Sequence, residues 1–249
     1  MKTRAKVVCV AVTLILVVSG AALGDWDLGD GHKMHYPQLP DPTGWDVDVT
    51  TGTVYDDFMC SWTGPIDDFH FWVSWEGDMS SDVIWIDVSL HGDVPATQSG
   101  TGFSHPDSVM YGDPLWKQTF YPGQWAYRPY GQGDQGWISP EVPYYNRPDH
   151  MMYDQINITN IVDPFIQEKD TIYWVGLHIG VADPQTAIGW KTTQDHWNDD
   201  ATYYCGGGWN ELIDPLTQES LDMAFVITPE PVTLCLLGLG GLALVRRRR

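Results

Sequence analysis

The sequence predicts an all-β fold, an antiparallel β-sandwich of jelly-roll or lectin-like type with long loops. Three observations carry that expectation. Apolar and polar residues alternate with period two across the central segment, turns rich in Pro and Gly divide the alternating runs, and no long helical period occurs there. Nine or ten short strands separated in this way suit two packed antiparallel sheets.

The first element is a leader. Lys2, Arg4 and Lys6 precede the apolar run Val7 to Val18, and the small residues Ser19, Gly20, Ala21, Ala22 and Gly24 follow. Residues 1–24 therefore read as a signal peptide, cut by signal peptidase after Ala22 or Gly24. Residues 25–227 form the predicted ectodomain. It opens with an extended arm over 25–52, where Gly29, Gly31, Pro37, Pro40, Pro42 and Gly44 give turn chemistry and Trp26 and Trp45 serve as anchors.

Alternation starts at Val54. Phe58, Cys60 and Trp62 face one way and Asp57, Met59 and Ser61 the other; Phe69 to Trp75 and Val83 to Leu90 repeat the pattern. Residues 92–115 read as loop, and Trp116 to Phe120 and Trp125 to Arg128 as short strands around Pro122-Gly123. Residues 129–150 read as a long Gly/Pro/Tyr insertion, a length that suggests a task in a compact domain. Strands resume at Gln155 to Ile158, Thr171 to Val181, Ile188 to Thr192, Ala201 to Cys205 and Leu221 to Ile227, with one helical turn expected within Ile161 to Glu168.

Composition excludes some functions. Residues 25–228 hold 32 Asp and Glu against six Lys and Arg, a formal charge of −26, while the whole sequence carries −20. Such a surface repels nucleic acid and attracts divalent cations. All thirteen tryptophans lie in this part, a load incompatible with disorder. Cys9 and Cys235 sit in the segments expected to be removed. Cys60 and Cys205 remain, and in an oxidising compartment they read as one disulfide. Closing that loop would stabilise by roughly 4–5 kcal/mol on the chain-entropy argument. Two separate buried thiols are the alternative.

Candidate sites are few. Asp25, Asp27 and Asp30 approximate a calcium loop, but Gly29 stands at a ligand position. Asp195, Asn198, Asp199 and Asp200 make a second oxygen-rich cluster, and calcium is the one cofactor the charge suggests. For both clusters a solvated acidic turn is the competing reading. His32 and His35 lack a third and fourth zinc ligand. Glu211 and Asp214 lack the alternate spacing that puts an acid and a nucleophile on one strand face. With no Gly-x-Ser-x-Gly, His-Glu-x-x-His or phosphate loop, no enzyme is expected. Trp137, Tyr144, Tyr145, Trp197 and Trp209 fall in expected loops, where flat rings stack on sugars, so extracellular polysaccharide is a candidate partner. The same rings could instead cap the open ends of the core, and their size weighs toward that.

The C-terminal stretch is the most specific. Thr228-Pro229-Glu230-Pro231 leads into the uncharged run Val232 to Val245, and Arg246, Arg247, Arg248 and Arg249 end the sequence. Fourteen residues at ~1.5 Å each span about 21 Å, a marginal transmembrane helix beside an arginine cluster held by anionic headgroups. A soluble core helix should show a polar face, and this run has none. Residues 228–249 resemble the PEP-CTERM sorting signal of exported bacterial proteins, the exosortase substrates. The resemblance implies a precursor anchored transiently in the membrane, cleaved beside Pro229-Glu230-Pro231, and a product with a structural or adhesive role at the cell surface or in the extracellular matrix. The middle resembles the uncharacterised Trp- and Asp-rich ectodomains that accompany such tails, in Asp163-Pro164-Phe165-Ile166-Gln167-Glu168 and in Leu221 to Ile227. That likeness implies no activity.

Overall fold

The computed structural model describes residues 24–107, 114–142 and 144–228, and Asp25–Pro229 forms one compact unit. The strands in chain order are β1 Trp45–Asp48, β2 Val54–Met59, β3 Gly64–Ile66, β4 Phe69–Trp75, β5 Val83–His91 and β6 Asp93–Val94. Then come β7 His105–Pro106, β8 Trp116–Phe120, β9 Trp125–Ser139, β10 Tyr144–Ile158, β11 Phe165–Gln167 and β12 Ile172–Val181. Last are β13 Ile188–Thr193, β14 Thr202–Cys205, β15 Gly208–Glu211, β16 Asp222–Met223 and β17 Phe225–Ile227. Among the described residues, helix is confined to the single turns Glu76–Asp78 and Ala96–Ser99. The fold is all-β.

One sheet closes on itself. Its order runs β13-β1-β9-β10-β4, and β4 pairs again with β13 through Ile188↔Trp75, Gly189↔Ser74 and Trp190↔Val73. Five strands thus form a ring, a feature that a reading as two open sandwich sheets does not contain. Further along, β4 and β13 part and β16–β17 fills the gap. The last segment switches partner at Ala224, from Thr192↔Met223 on β13 to Phe71↔Phe225 on β4. The Ala224 amide donates to Lys191 O at 2.7 Å, which stitches the switch point to β13.

The second sheet has six strands in the order β15-β14-β2-β12-β5-β8. Alternation gives it one apolar face, with Val54, Phe58, Val175, Leu177, Ile86, Val88 and Leu90 fully or almost fully buried. These residues share one core with Val47, Phe71, Val73, Ile156 and Trp190 of the ring strands. Phe58 of the second sheet meets Phe225 edge-on at 6.2 Å, and Phe225 meets Trp190 at 5.8 Å. Aromatic pairs in such edge geometry add to area burial.

Three expectations need correction. Residues 129–150 are not a loop but most of the β9–β10 hairpin, which continues along β4. Its glycines serve close packing rather than turns: a Cβ on Gly136 would stand 2.4 Å from the Trp45 ring. Residues 45–48 do not lie over the domain as an arm. They form β1, antiparallel to β13 and parallel to β9, with all four residues buried. Finally, Phe165–Gln167 is a strand paired with β3 and not a helical turn.

Candidate functional site

Three groups of polar side chains stand out, and each is built by strand register. The first lies at the edge of the second sheet. On β2, Asp57 has the parity of Tyr55 and points away from the Val54/Phe58 core face. Thr202 of β14 sits opposite Tyr55, so the register continued one step places residue 200 opposite Asp57. Thr202 also sits opposite Glu211 of β15. Directly paired side chains share a face with Cβ atoms ~5 Å apart. The turn leading into β14 closes through Asn198 in the left-handed region (φ 55°), which Asn tolerates.

The result is a dense set of carboxylates. Oxygens of Asp199, Asp200 and Glu211 lie within 4.8 Å of one another, and His196, Asp200 and Asp222 form a second such group. Burial, then Asp200 and Asp199, push Glu211 up to about 7. Burial also holds Asp57 well above the usual carboxylate range, with Asp222, Asp199 and Asp93 adding to it. Asn198 opposes the shift by donating to Asp57 Oδ2. Asp199 Oδ2 accepts from the Ser104 amide at 3.2 Å. Three buried oxygens here have no hydrogen-bond partner, Asp57 Oδ1, Thr202 Oγ1 and Asp222 Oδ1, in residues at most 1 % exposed; Asp222 Oδ1 lies 3.5 Å from His196 Nδ1. Each such orphan costs about 1–3 kcal/mol.

The second group lines a groove of about 580 Å³. Trp75, Trp125 and Tyr127 supply its rings, and Asp78, Asp82 and Asp154 its acids. Trp75 Nε1 donates to the Tyr127 hydroxyl at 2.8 Å, and that hydroxyl donates to Asp154. Both oxygens of Asp78 accept from backbone, Oδ2 from the Met151 amide and Oδ1 from Met152, each at 3.0 Å. The Asp78 wall is therefore fixed to β10, and Tyr127 is fixed by its two partners.

The third group is inside the ring. Asp46 of β1, Gln135 of β9, His150 of β10, Ser74 of β4 and Lys191 of β13 contribute one side chain per strand, each at most 2 % exposed. Lys191 Nζ lies 3.1 Å and His150 Nε2 3.0 Å from Asp46 Oδ2, and Lys191 also donates to Gln135. Bonds between strands that are not ring neighbours, such as Ser74 to Gln135, place these groups in the interior. Burial disfavours the Asp46 carboxylate, but Lys191 and His150 outweigh it and hold its pKa below the usual value. Burial lowers Lys191 and would lower His150, whose partners Asp46 and Asp149 raise it instead. Sealed from solvent, this network holds the ring and offers no entry to a ligand.

A family model described as "Domain of unknown function (DUF7901)" matches residues 34–228, well over half of the sequence. The chain belongs to the DUF7901 family. A second model, the PEP-CTERM protein-sorting motif, matches residues 228–249. It makes the chain an exported, membrane-anchored precursor that an exosortase processes. No curated protein matches the chain.

Within the DUF7901 domain the predicted residues scatter. Trp137 is 0 % exposed, in β9 rather than a loop, with Nε1 donating to Ser139 at 3.1 Å. Trp197 is half-buried and stacks on His35 at 4.0 Å, and Trp209 is half-buried against Tyr55, Tyr204 and His105. These three rings cap or fill the core, as their size suggests. Tyr144 and Tyr145 alone remain about half exposed, beside a cleft of about 280 Å³. Asp25 and Asp27 are paired with Arg128 at 2.9 and 2.7 Å, and Asp30 accepts from the Asp27 amide, so this turn is held by an arginine. Asp195 accepts from the Leu39 amide, whereas Asp199 and Asp200 enter the cluster. Neither His32 nor His35 belongs to a three-ligand group among the described residues.

The expected disulfide does not form, and both cysteines are free thiols. Register explains why. Tyr203 pairs with Val54, so Cys205 falls level with position 52, eight residues from Cys60 along β2. At ~3.3 Å per residue that is about 26 Å, far beyond the ~7 Å limit between bridged Cα atoms. Burial instead pushes the Cys60 thiol up to about 12.

Pro229, Glu230, Pro231 and Arg246 to Arg249 lie outside the described residues, as do the predicted signal peptide and the run Val232 to Val245. Among the described residues no helix is long and apolar enough to cross a membrane. Sequence reasoning missed Glu211 as a member of the cluster and Asp57 as its buried neighbour, and Trp75, Trp125 and Tyr127 as a groove. One available signal was Asp56-Asp57: adjacent acids in a strand cannot both face water when one face is core.

Proposed function

We propose that the processed protein is a non-catalytic adhesive module of the cell surface or extracellular matrix, and that it holds carbohydrate in the Trp75/Trp125/Tyr127 groove. The observation that carries this reading is the groove itself. Trp75 and Tyr127, fixed by hydrogen bonds, and the Trp125 ring stand beside carboxylates able to accept from sugar hydroxyls, the usual composition of a glycan site. A lectin-like grouping of the fold belongs to the same proposal, supported by the packing of the six-stranded sheet against the ring strands. Signal peptidase would remove the leader and the exosortase the tail. Both oxygens of Asp78 accept backbone amides and Asp154 accepts the Tyr127 hydroxyl, so these acids are engaged in holding the groove, which sets a secreted glycan-active enzyme below a binder.

Retention of the purified protein on extracellular polysaccharide, with a glycan array to find the unit bound, tests the reading. Trp125→Ala is expected to weaken binding about tenfold or more, and Tyr144→Ala with Tyr145→Ala to leave it unchanged. Absence of binding to every glycan and polysaccharide would reduce the role to a structural one. Binding lost only with the tyrosine pair would move the site to the hairpin tip.

A further inference from the structure

We propose that Asp57, Asp199, Asp200 and Glu211, with the Thr202 hydroxyl, form a calcium site at the edge of the second sheet. The proposal is independent of the groove and goes beyond any role in glycan binding. Three carboxylates with oxygens within 4.8 Å of one another need either shared protons or a cation. The protein's own cations go elsewhere among the described residues. Lys117 pairs with Asp87, Arg128 with Asp25 and Asp27, Lys169 with Asp170, and Lys191 with Asp46, while Arg147 donates to Thr43 O and Lys33 to Pro65 O.

A crowd of acids alone would be a solvated surface. What marks this one as a site is a pair of buried orphans on its face of the sheet: Thr202 beside Glu211, and Asp57, outside the 4.8 Å group, beside Asn198. Asp57 Oδ1 and Thr202 Oγ1 belong to residues 0 % exposed and have no hydrogen-bond partner. Both sit on the face that carries Glu211: Thr202 is its direct partner across β14–β15, and Asp57 lies two residues along β2 from the partner of Thr202. Buried polar atoms are nearly always satisfied, so the Thr202 hydroxyl next to Glu211 and the Asp57 carboxylate, turning in beside Asn198, complete the shell that the three clustered carboxylates begin.

The donor set selects the ion. Four carboxylates and a hydroxyl are hard oxygen ligands, and the irregular mix of strand and turn suits the flexible six- to eight-fold shell of calcium better than the strict octahedron of magnesium. His196 belongs to the neighbouring group with Asp222, which shares only Asp200 and would favour a softer metal.

The test uses the purified protein in chelator-treated buffer. Calcium binding is read by calorimetry and by terbium emission excited through Trp209, which stands two residues before Glu211 on the same strand face. Calcium at 10 mM is expected to raise Tm by about 5–10 °C over chelator, given the ~10⁻⁴ M affinity usual for extracellular modules. Glu211→Gln and Asp57→Asn are each expected to weaken binding about tenfold or more while remaining folded in chelator by circular dichroism. Asp25→Asn with Asp27→Asn should leave the calcium response intact. No binding heat and no Tm response at 10 mM calcium would overturn the proposal. So would a response retained in both Glu211→Gln and Asp57→Asn, or one lost only with His196→Ala.

Discussion

The ring interior and the edge of the second sheet both bury carboxylates, and they treat them in opposite ways. Inside the ring, Lys191 and His150 face Asp46, and its pKa falls despite complete burial. At the sheet edge, Asp57 receives only the Asn198 amide, and its pKa rises. Burial is the largest influence on both groups, so burial does not decide which way the pKa moves. Partners decide it. Residues 25–228 hold six Lys and Arg; Lys191 pairs with Asp46 inside the ring, and no Lys or Arg ion pair among the described residues involves the edge carboxylates.

Removing the internal cation should therefore have the largest effect. Lys191→Met leaves Asp46 buried and short of its main partner, a loss of about 3–5 kcal/mol, and a Tm lower by about 6–20 °C in thermal unfolding. The matching change at the edge, Asp57→Asn, should cost far less in chelator. Equal losses at the two sites would erase the distinction. Crowding separates the regions in the same sense. A Cβ on Gly189 would stand 2.7 Å from the Trp137 ring and 3.0 Å from Asp46 Cβ, whereas one on Gly208, beside the cluster, meets nothing within 4 Å. Gly189→Ala is expected to destabilise by about 1–3 kcal/mol and Gly208→Ala by less than ~0.5 kcal/mol in the same assay.

The contrast between the regions was only partly legible in the sequence. Strands β4, β5, β12 and β13 follow from period-two alternation because each buries one face or both, and β8 because Trp116, Gln118 and Phe120 pair with the core-facing Leu90, Val88 and Ile86. The β9–β10 hairpin was hidden by Gly131, Gly133 and Gly136, since a glycine that admits a ring reads like one that makes a turn. Trp45 to Asp48 alternates correctly, but four residues amid turn chemistry carry too little signal. Asp46 and Lys191 meet across 145 residues, a pairing set by register and ring closure that local pattern cannot supply. At the edge, Asp199 and Asp200 were visible as a cluster. Their partners Asp57 and Glu211 come from other strands, and alternation alone assigned Asp57 to solvent.

A pH series sharpens the ring side. His150 faces Asp46, Asp149, Lys191 and the Trp137 ring. Its pKa is raised above the ordinary 6.5, so its stabilising contribution is complete below about 6.5 and is lost as pH rises through the folded-state value. Asp46 is depressed below 3.8, so its contribution is complete above 3.8 and is lost as pH falls through its folded-state value. The network is strongest between those limits. The raised carboxylates of the edge also lose stability as pH rises, so the informative quantity is a difference. The Tm advantage of the unsubstituted protein over His150→Gln is expected to shrink between pH 6 and pH 8; a constant gap would show that His150 does not gain its proton from the network.

The smallest expected effect is none at all, and it bears on what holds the two regions together. Cys60 follows directly on β2 and Cys205 ends β14, so a bridge between them would have stapled these neighbouring strands of the second sheet. Had it formed, reduction would remove roughly 4–5 kcal/mol and lower Tm by about 8–20 °C. The register keeps the two thiols about 26 Å apart, at opposite ends of the β2–β14 pairing. Unfolding curves with and without reductant should therefore superimpose, and alkylation of the unfolded, unreduced protein should label both Cys60 and Cys205. A fall of several degrees on reduction would require the β2–β14 register to slip by about eight residues. That slip would also separate Thr202 and Glu211 from Asp57 and dissolve the proposed calcium shell.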